Sequence, residues 1–372
     1  MARLALFFNV LEAAHRMDIQ ERRNIQRMHR YNSRALAMDD EEFQRNYRLS
    51  KELYELLVND LSPLMKRPTR RSDISTKCKI LIALSFFASG SYQRIVGRAC
   101  GTTMSQQSVS RCIRDVVNAL NHNSILAKYI RFPRSLEERN IIKRKFYEKF
   151  HIPGVIGCID CTHVAIVRPK TNEERYFNRK HYHSRNVQIV CDSDMNILSV
   201  DATFGGATHD SFIFNQHQIK SHLLDLINRG ETVYLLGDSG YAQREYLMTP
   251  IINAAVGSAE EFYTQKHGTA RNTVERTIGL LKARWRCLLR HRVLHYDPQT
   301  ASKIINACCV LHNICNLNSL DSPSPTADVE EAINIEQNEL ALQPSSSSQS
   351  DELRRGNAAR QTLISTLWQS RH

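Results

Sequence analysis

Three acidic residues stand in surroundings that set them apart from the chain's other carboxylates. Asp160 follows the apolar run Val155-Ile156-Gly157-Cys158-Ile159, and Asp238 follows Leu235-Leu236-Gly237. Both read as carboxylates at the ends of strands buried on two faces, held at a sheet edge with glycine nearby to admit a ligand. Glu275 lies in Asn272-Thr273-Val274-Glu275-Arg276-Thr277-Ile278-Gly279, beside a helical core stripe of Val274, Ile278, Leu281, Trp285 and Leu288. It falls one position off that stripe, at the border of core and solvent, and Gly279 one turn later leaves room beside it. Lys282 and Arg286 continue the same face, where they could hold phosphate oxygens. Carboxylates converging from separate elements suit phosphoryl transfer. Hard divalent cations such as Mg²⁺ or Mn²⁺ take carboxylate oxygens, activate the attacking oxygen and stabilise the leaving one.

The elements that must position these groups belong to an α/β domain over residues 146–318. Short apolar runs predict strands at 155–159, 164–167, 187–191, 197–204 and 232–236. Helical periodicity predicts one helix over 211–227 and two long closing helices over 272–290 and 300–316. Antiparallel-looking strands, a helix, a central strand and further helices make a mixed, layered sheet domain. Residues 1–60 read as an N-terminal helical segment, and 61–145 as an all-helical region. In the latter, Ile80, Leu81, Leu84, Phe87 and Ala88 mark one helix and residues 92–98 a second. A glycine-containing turn over 100–104 leads to Ser105 as N-cap of a third helix, with Val109, Ile113, Val116, Val117 and Leu120 on one face. This is a helix-turn-helix pattern whose last helix presents Arg111 and Arg114 as candidate DNA contacts; a plain helical bundle is the alternative. Residues 319–372, with Pro323, Pro325 and the serine run 345–348, read as a largely disordered tail ending in a helix over about 353–368.

Other constellations invite different chemistry. Cys158 and Cys161 bracket Asp160 in a Cys-x-x-Cys spacing, but no second pair completes a zinc site and a strand runs through them. Cys309, His312 and Cys315 fall at helical spacing and read as a packed helix face. His163 and His209 adjoin the acidic residues and read as structural. Arg175, Arg179, Lys180, His181 and Arg185, interleaved with Tyr176, Phe177 and Tyr182, suit a solvated loop or a surface that meets nucleic acid.

Composition favours a polyanionic partner. Fifty Lys and Arg face 38 Asp and Glu, leaving a formal charge of +12 over 372 residues. No apolar run reaches the roughly 20 residues needed to span a bilayer, so no membrane partner is expected. The opening Met1-Ala-Arg-Leu-Ala-Leu-Phe-Phe reads as an amphipathic helix. Ten cysteines without a small-scaffold framework fit reduced thiols in the nucleus or cytoplasm. The Lys66-Arg67-Pro68-Thr69-Arg70-Arg71 segment reads as a nuclear-import signal, a phosphate contact or a solvated loop.

The ordered set of motifs resembles the Harbinger/PIF-type transposases and the nucleases domesticated from them. The set comprises Ile159-Asp160-Cys161-Thr162-His163, Gly205-Gly206-Ala207-Thr208-His209-Asp210-Ser211, Gly237-Asp238-Ser239-Gly240-Tyr241, the Glu275 block through Trp285, and Ala307-Cys308-Cys309-Val310-Leu311-His312-Asn313. The resemblance spans residues 75–316. It implies an RNase H-like DDE domain behind a helix-turn-helix and divalent-metal-dependent hydrolysis of DNA phosphodiesters. It further implies a metal site at Asp160, Asp238 and Glu275 with Asp210 as fourth ligand. A separate Myb-like DNA-binding protein is the implied partner. The other expectation is a catalytically silent descendant that serves as a DNA-binding or adaptor protein.

Overall fold

The structure, a computed structural model, describes residues 12–20, 22, 34–70, 73–98, 104–320 and 351–371. The chain divides into two compact units, Met1–Ile125 and Leu126–His372. The expected helix over the first residues, the expected turn over 100–104 apart from Met104 and the tail over 321–350 lie outside the described residues.

The first unit is helical: α1 (Asp40–Tyr47), α2 (Lys51–Leu61), α3 (Thr76–Ser89), α4 (Gln93–Val96) and α5 (Gln106–Leu120). Helix α3 is buried on nearly every side, Ile80 to Leu84 and Phe86 to Ala88 included, so it forms the centre of this unit. In α5, Val109, Ile113, Val116, Val117 and Leu120 turn inward while Arg111 and Arg114 are exposed. Ser105 caps α5 as its position suggests, its hydroxyl accepting from the Ser108 amide at 3.2 Å.

Helix α6 (Asn123–Tyr129) leads to the second unit, which holds α7 (Leu136–Phe150), β1 (Val155–Ala165), β2 (Ser184–Cys191), β3 (Ile197–Gly205), α8 (Asp210–Gln216) and α9 (Gln218–Asn228). There follow β4 (Tyr234–Leu236), β5 (Leu247–Met248), α10 (Ala259–Arg284), α11 (Pro298–Leu317) and α12 (Asp351–Gln369). The sheet order is β3-β2-β1-β4-β5. Strands β1, β2 and β3 are antiparallel neighbours, whereas β4 and β5 run parallel to β1. A five-stranded mixed sheet of this order with helices on its faces is the RNase H-like architecture.

Alternation along β1 assigns the two faces. Cys158 and Asp160 face α10, the Cys158 thiol reaching the Ala270 carbonyl at 3.3 Å. Ile159 lies in the opposite core with Phe214, Leu223, Leu226, Leu235 and Tyr241. Helix α11 closes the β3 side. Asn313 accepts from the Ile197 amide at 2.8 Å and donates to the Ile197 and Tyr129 carbonyls. His312 Nε2 pairs with the Met195 carbonyl at 2.9 Å, and burial pushes its pKa down to about 4. Thus the Cys309–Cys315 stretch clamps the β2–β3 turn, which is the packed reading of that motif.

Several boundaries depart from expectation. Strand β1 runs unbroken through Asp160 to Ala165, because the aspartate's backbone stays in register with Ile189 while only its side chain is polar. The expected helix over 211–227 breaks at His217, where ψ is 138° and the imidazole Nδ1 caps α9 by accepting from the Ile219 amide at 3.1 Å. Helix α10 begins at Ala259 and leaves helical geometry at Trp285, burying Trp285, Cys287 and Leu288 together. Helix α7, expected with the N-terminal helices, packs on β1. It is fastened by Arg139, which donates to Glu231 at 2.6–3.0 Å with Lys143 on the same carboxylate.

Arg139 and Glu231 are 6% and 15% exposed, so removing one partner strands a buried charge. Glu231→Ala is expected to destabilise this unit by about 3 kcal/mol, read by urea unfolding; a loss near zero would show that the pair contributes no net fastening.

Candidate active site

Asp160 and Asp238 meet because their strands are parallel neighbours. Cys158 pairs with Leu236, and each aspartate lies two residues beyond that rung. Asp160 is buried; its Oδ1 accepts from the Cys161 amide at 2.8 Å and its Oδ2 from Arg271 Nη1 at 3.2 Å. Asp238 turns the chain after β4, its Oδ1 accepting from the Gly240 amide at 3.0 Å. Asp210 starts α8 and accepts from Asn186 Nδ2 at 2.8 Å; Asn186 also donates to the Thr208 carbonyl. Ser211 then ties the start of α8 to the Gly240 carbonyl at 2.6 Å. Glu275 joins from α10, one turn after Arg271, and is ion-paired with it.

The site is therefore one acidic centre carried on β1, the β4 loop, the start of α8 and the middle of α10. Its electrostatics follow from burial. Desolvation pushes Asp160 up to about 7, Arg271 opposes that rise, and Asp238 and Asp210 add to it. Asp238 is raised for the same leading reason, burial, with Asp210 adding to it. Arg271 loses solvation itself, yet Asp160, Glu275 and Asp238 more than restore its charged form. This arginine is the functional candidate that sequence reasoning missed. Its signal was the i, i+4 spacing to Glu275, which places both on one helix face.

Not every candidate joins this centre. Lys282 is 2% exposed and donates to the His163 carbonyl at 3.1 Å, so its stem and ammonium are spent on the fold and not offered to phosphate. Arg286 lies beyond the end of α10, in a 3-10 turn, and so does not continue the Glu275 face. Arg111 and Arg114 are exposed on α5 in the first unit. His163 packs on Tyr182 and bonds Ser184, while His209 occupies the N-cap position of α8 without a side-chain capping bond. Cys158 and Cys161 point to opposite faces of β1, the latter thiol against the Tyr241 hydroxyl at 3.4 Å, which separates them as metal ligands.

The donor set fits a hard divalent cation in type and charge: carboxylate oxygens, a raised aspartate and mutual repulsion that a cation would relieve. Among the described residues no three such side chains stand at metal-holding spacing. Here the positive charge is supplied by Arg271.

This fold and acidic centre define a nuclease-type RNase H-like domain, and comparison with known proteins gives the family. Residues 159–313 match the family described as DDE superfamily endonuclease. HARBI1 of Bos taurus is 36% identical over 296 residues, covering 78% of this chain and 83% of that one. HARBI1 of Homo sapiens is 36% identical over 284 residues, covering 76% and 79%. The protein ALP1-like of Arabidopsis thaliana is 24% identical over 297 residues, covering 75% and 71%. No solved structure matches. The chain belongs to the DDE superfamily endonucleases, among the Harbinger transposase-derived nucleases.

A buried carboxyl whose pKa rises from 3.8 to about 7 on folding is destabilising once ionised, so stability falls as pH climbs through that interval. Asp160→Asn removes the titration. In chelator, its unfolding free energy relative to wild type should grow by on the order of 2–3 kcal/mol between pH 5 and pH 8. A difference that stays flat with pH would mean that Asp160 is not the strained group.

Proposed function

We propose that the chain is a divalent-metal-dependent DNA endonuclease that hydrolyses phosphodiesters at the Asp160, Asp238 and Glu275 centre. The observation that carries this reading is the convergence of one buried carboxylate, Asp160, and three half-buried ones from four separate elements, a costly arrangement unless it serves a cation. Asp160, Asp238 and Glu275 would hold Mg²⁺ or Mn²⁺, with Asp210 as the fourth ligand. The cation would activate the attacking oxygen and stabilise the leaving one. The chain's own residues set the stage for this. Asn186 and Ser211 fix the approach of Asp210. The Cys161 and Gly240 amides aim the two strand-derived aspartates. Arg271, which now pairs with Asp160 and Glu275, would have to give up these carboxylates to a bound cation.

The exposed Arg111 and Arg114 of α5 fit a DNA-facing helix of a helix-turn-helix. The same reading has the chain act in the nucleus, with cytoplasmic residence as well, beside a separate Myb-like DNA-binding protein. Among the described residues no helix is long and apolar enough to cross a membrane.

A second reading, a silent DNA-binding or adaptor protein, is favoured by one observation: Arg271 already neutralises Asp160 and Glu275. Cleavage of supercoiled and linear DNA with Mg²⁺ or Mn²⁺ separates the two. Wild type should cut, and Glu275→Gln should lose about 100-fold or more, the loss that even outer-shell partners of a metal produce. Equal activity in wild type and variant, or none in either, would reject the endonuclease reading.

A further inference from the structure

The chain's positive charge is not spread evenly. Residues 168–183 and 286–295 hold eight Lys and Arg against two Glu. These stretches are far apart in sequence, yet they form one surface. Ile166 bridges to Leu294 beside the end of β1, with the Val167 amide donating to the Leu294 carbonyl at 3.1 Å and the Leu294 amide to the Ala165 carbonyl at 2.9 Å. The Arg290 guanidinium lies 4.7 Å from the centre of the Tyr182 ring.

The connection between β1 and β2 is built to hold its shape. Asn178 donates to the Ser184 hydroxyl at 2.8 Å and accepts from the Lys180 and Tyr182 amides. Gly205 and Gly206 let β3 approach: a Cβ on Gly205 would stand 2.1 Å from the Arg175 carbonyl oxygen, and one on Gly206 would stand 2.1 Å from the Ser184 hydroxyl. Arg185 is buried on the Pro298 and Thr203 carbonyls and serves the scaffold. Arg168 and His183 both pair with Glu173, which cancels one of the two acids. Facing solvent are then Lys170, Arg175, Phe177, Arg179, His181 and Arg292, with the second acid, Glu174, also exposed beside Arg175 in the chain. That Phe177 is 43% exposed, its ring resting on His181 and His183.

This surface lies off the end of β1, the strand that carries Asp160 at its middle. Ala165 is five residues beyond Asp160 on β1, about 17 Å at 3.3 Å per residue. Along DNA, whose strands repeat at about 3.4 Å, that is roughly five base pairs.

We propose that the β1–β2 connection and residues 290–295 form a nucleic-acid-binding surface that holds DNA beside the acidic centre, with Phe177 as a stacking platform for an unpaired base. The proposal rests on the endonuclease reading for its choice of DNA, but its chemistry is binding alone. Cations held on an ordered surface release counterions from a polyanion, and an exposed ring beside them offers a base the π-face that a phosphate contact lacks.

The test is fluorescence anisotropy of the full chain with a labelled duplex, blunt or with a single-stranded extension, in EDTA across a salt series. Lys170→Ala/Arg179→Ala/Arg292→Ala should weaken binding to both DNAs about tenfold or more and reduce the salt slope by about 3. The Lys170→Arg/Arg179→Lys/Arg292→Lys chain should keep wild-type affinity. Phe177→Ala should weaken the extended DNA about tenfold and leave the blunt one unchanged. An unchanged slope in the triple alanine variant overturns the surface, and an equal effect of Phe177→Ala on both DNAs overturns the stacking role. Polyglutamate of equal charge displacing the chain as well as duplex DNA would assign the surface to an acidic protein instead. Because no divalent cation is present, failure to cut DNA leaves these outcomes unaffected.

Discussion

The charge balance around Asp160 governs the second unit. A carboxylate this buried, with Asp238 and Asp210 near enough to oppose its ionisation, needs a compensating positive charge. Arg271 provides it from α10, bridging to Asp160 on the sheet and to Glu275 one turn along its own helix. The bridge fixes where α10 crosses β1 and so which residues of that 26-residue helix meet the acidic centre. The Cys158 thiol on the Ala270 carbonyl reinforces the same crossing.

In the proposed function an external cation would compete with Arg271 for the same oxygens. With the guanidinium in place, the carboxylates are held together without a metal, and the unit can fold around them. With a divalent cation bound, Arg271 would be released into a region where phosphate charge arrives. In the functions proposed above, the acidic centre and the basic surface off the end of β1 would have complementary tasks, one binding cations and the other a polyanion.

Much of this was legible from residue pattern. The apolar runs before Asp160 and Asp238 are strands because β1 and β4 are covered on both faces, which removes the polar alternation of an exposed sheet. Glu275 falls at the core border as its helical stripe predicts, 27% exposed. What escaped was set by tertiary context. Lys282 carries a charge that suggests solvent, yet its ammonium satisfies the His163 carbonyl inside the fold. Trp285 and Leu288 continue a helical spacing, yet the backbone turns at Trp285 to bury the indole, which takes Arg286 off the expected face. Strand β5, two residues long, is too short to announce itself in the sequence, and Arg271 shows its role only when Asp160 is brought to it from 111 positions away.

Metal binding by the acidic centre is the central claim, and a thermal unfolding titration with Mn²⁺ tests it most directly. A ligand that binds only the folded state raises the melting temperature as its concentration passes the dissociation constant. The melting temperature of wild type should climb with Mn²⁺, while that of Asp238→Asn stays nearly level. Equal shifts in the two proteins would contradict a cation site built on these carboxylates.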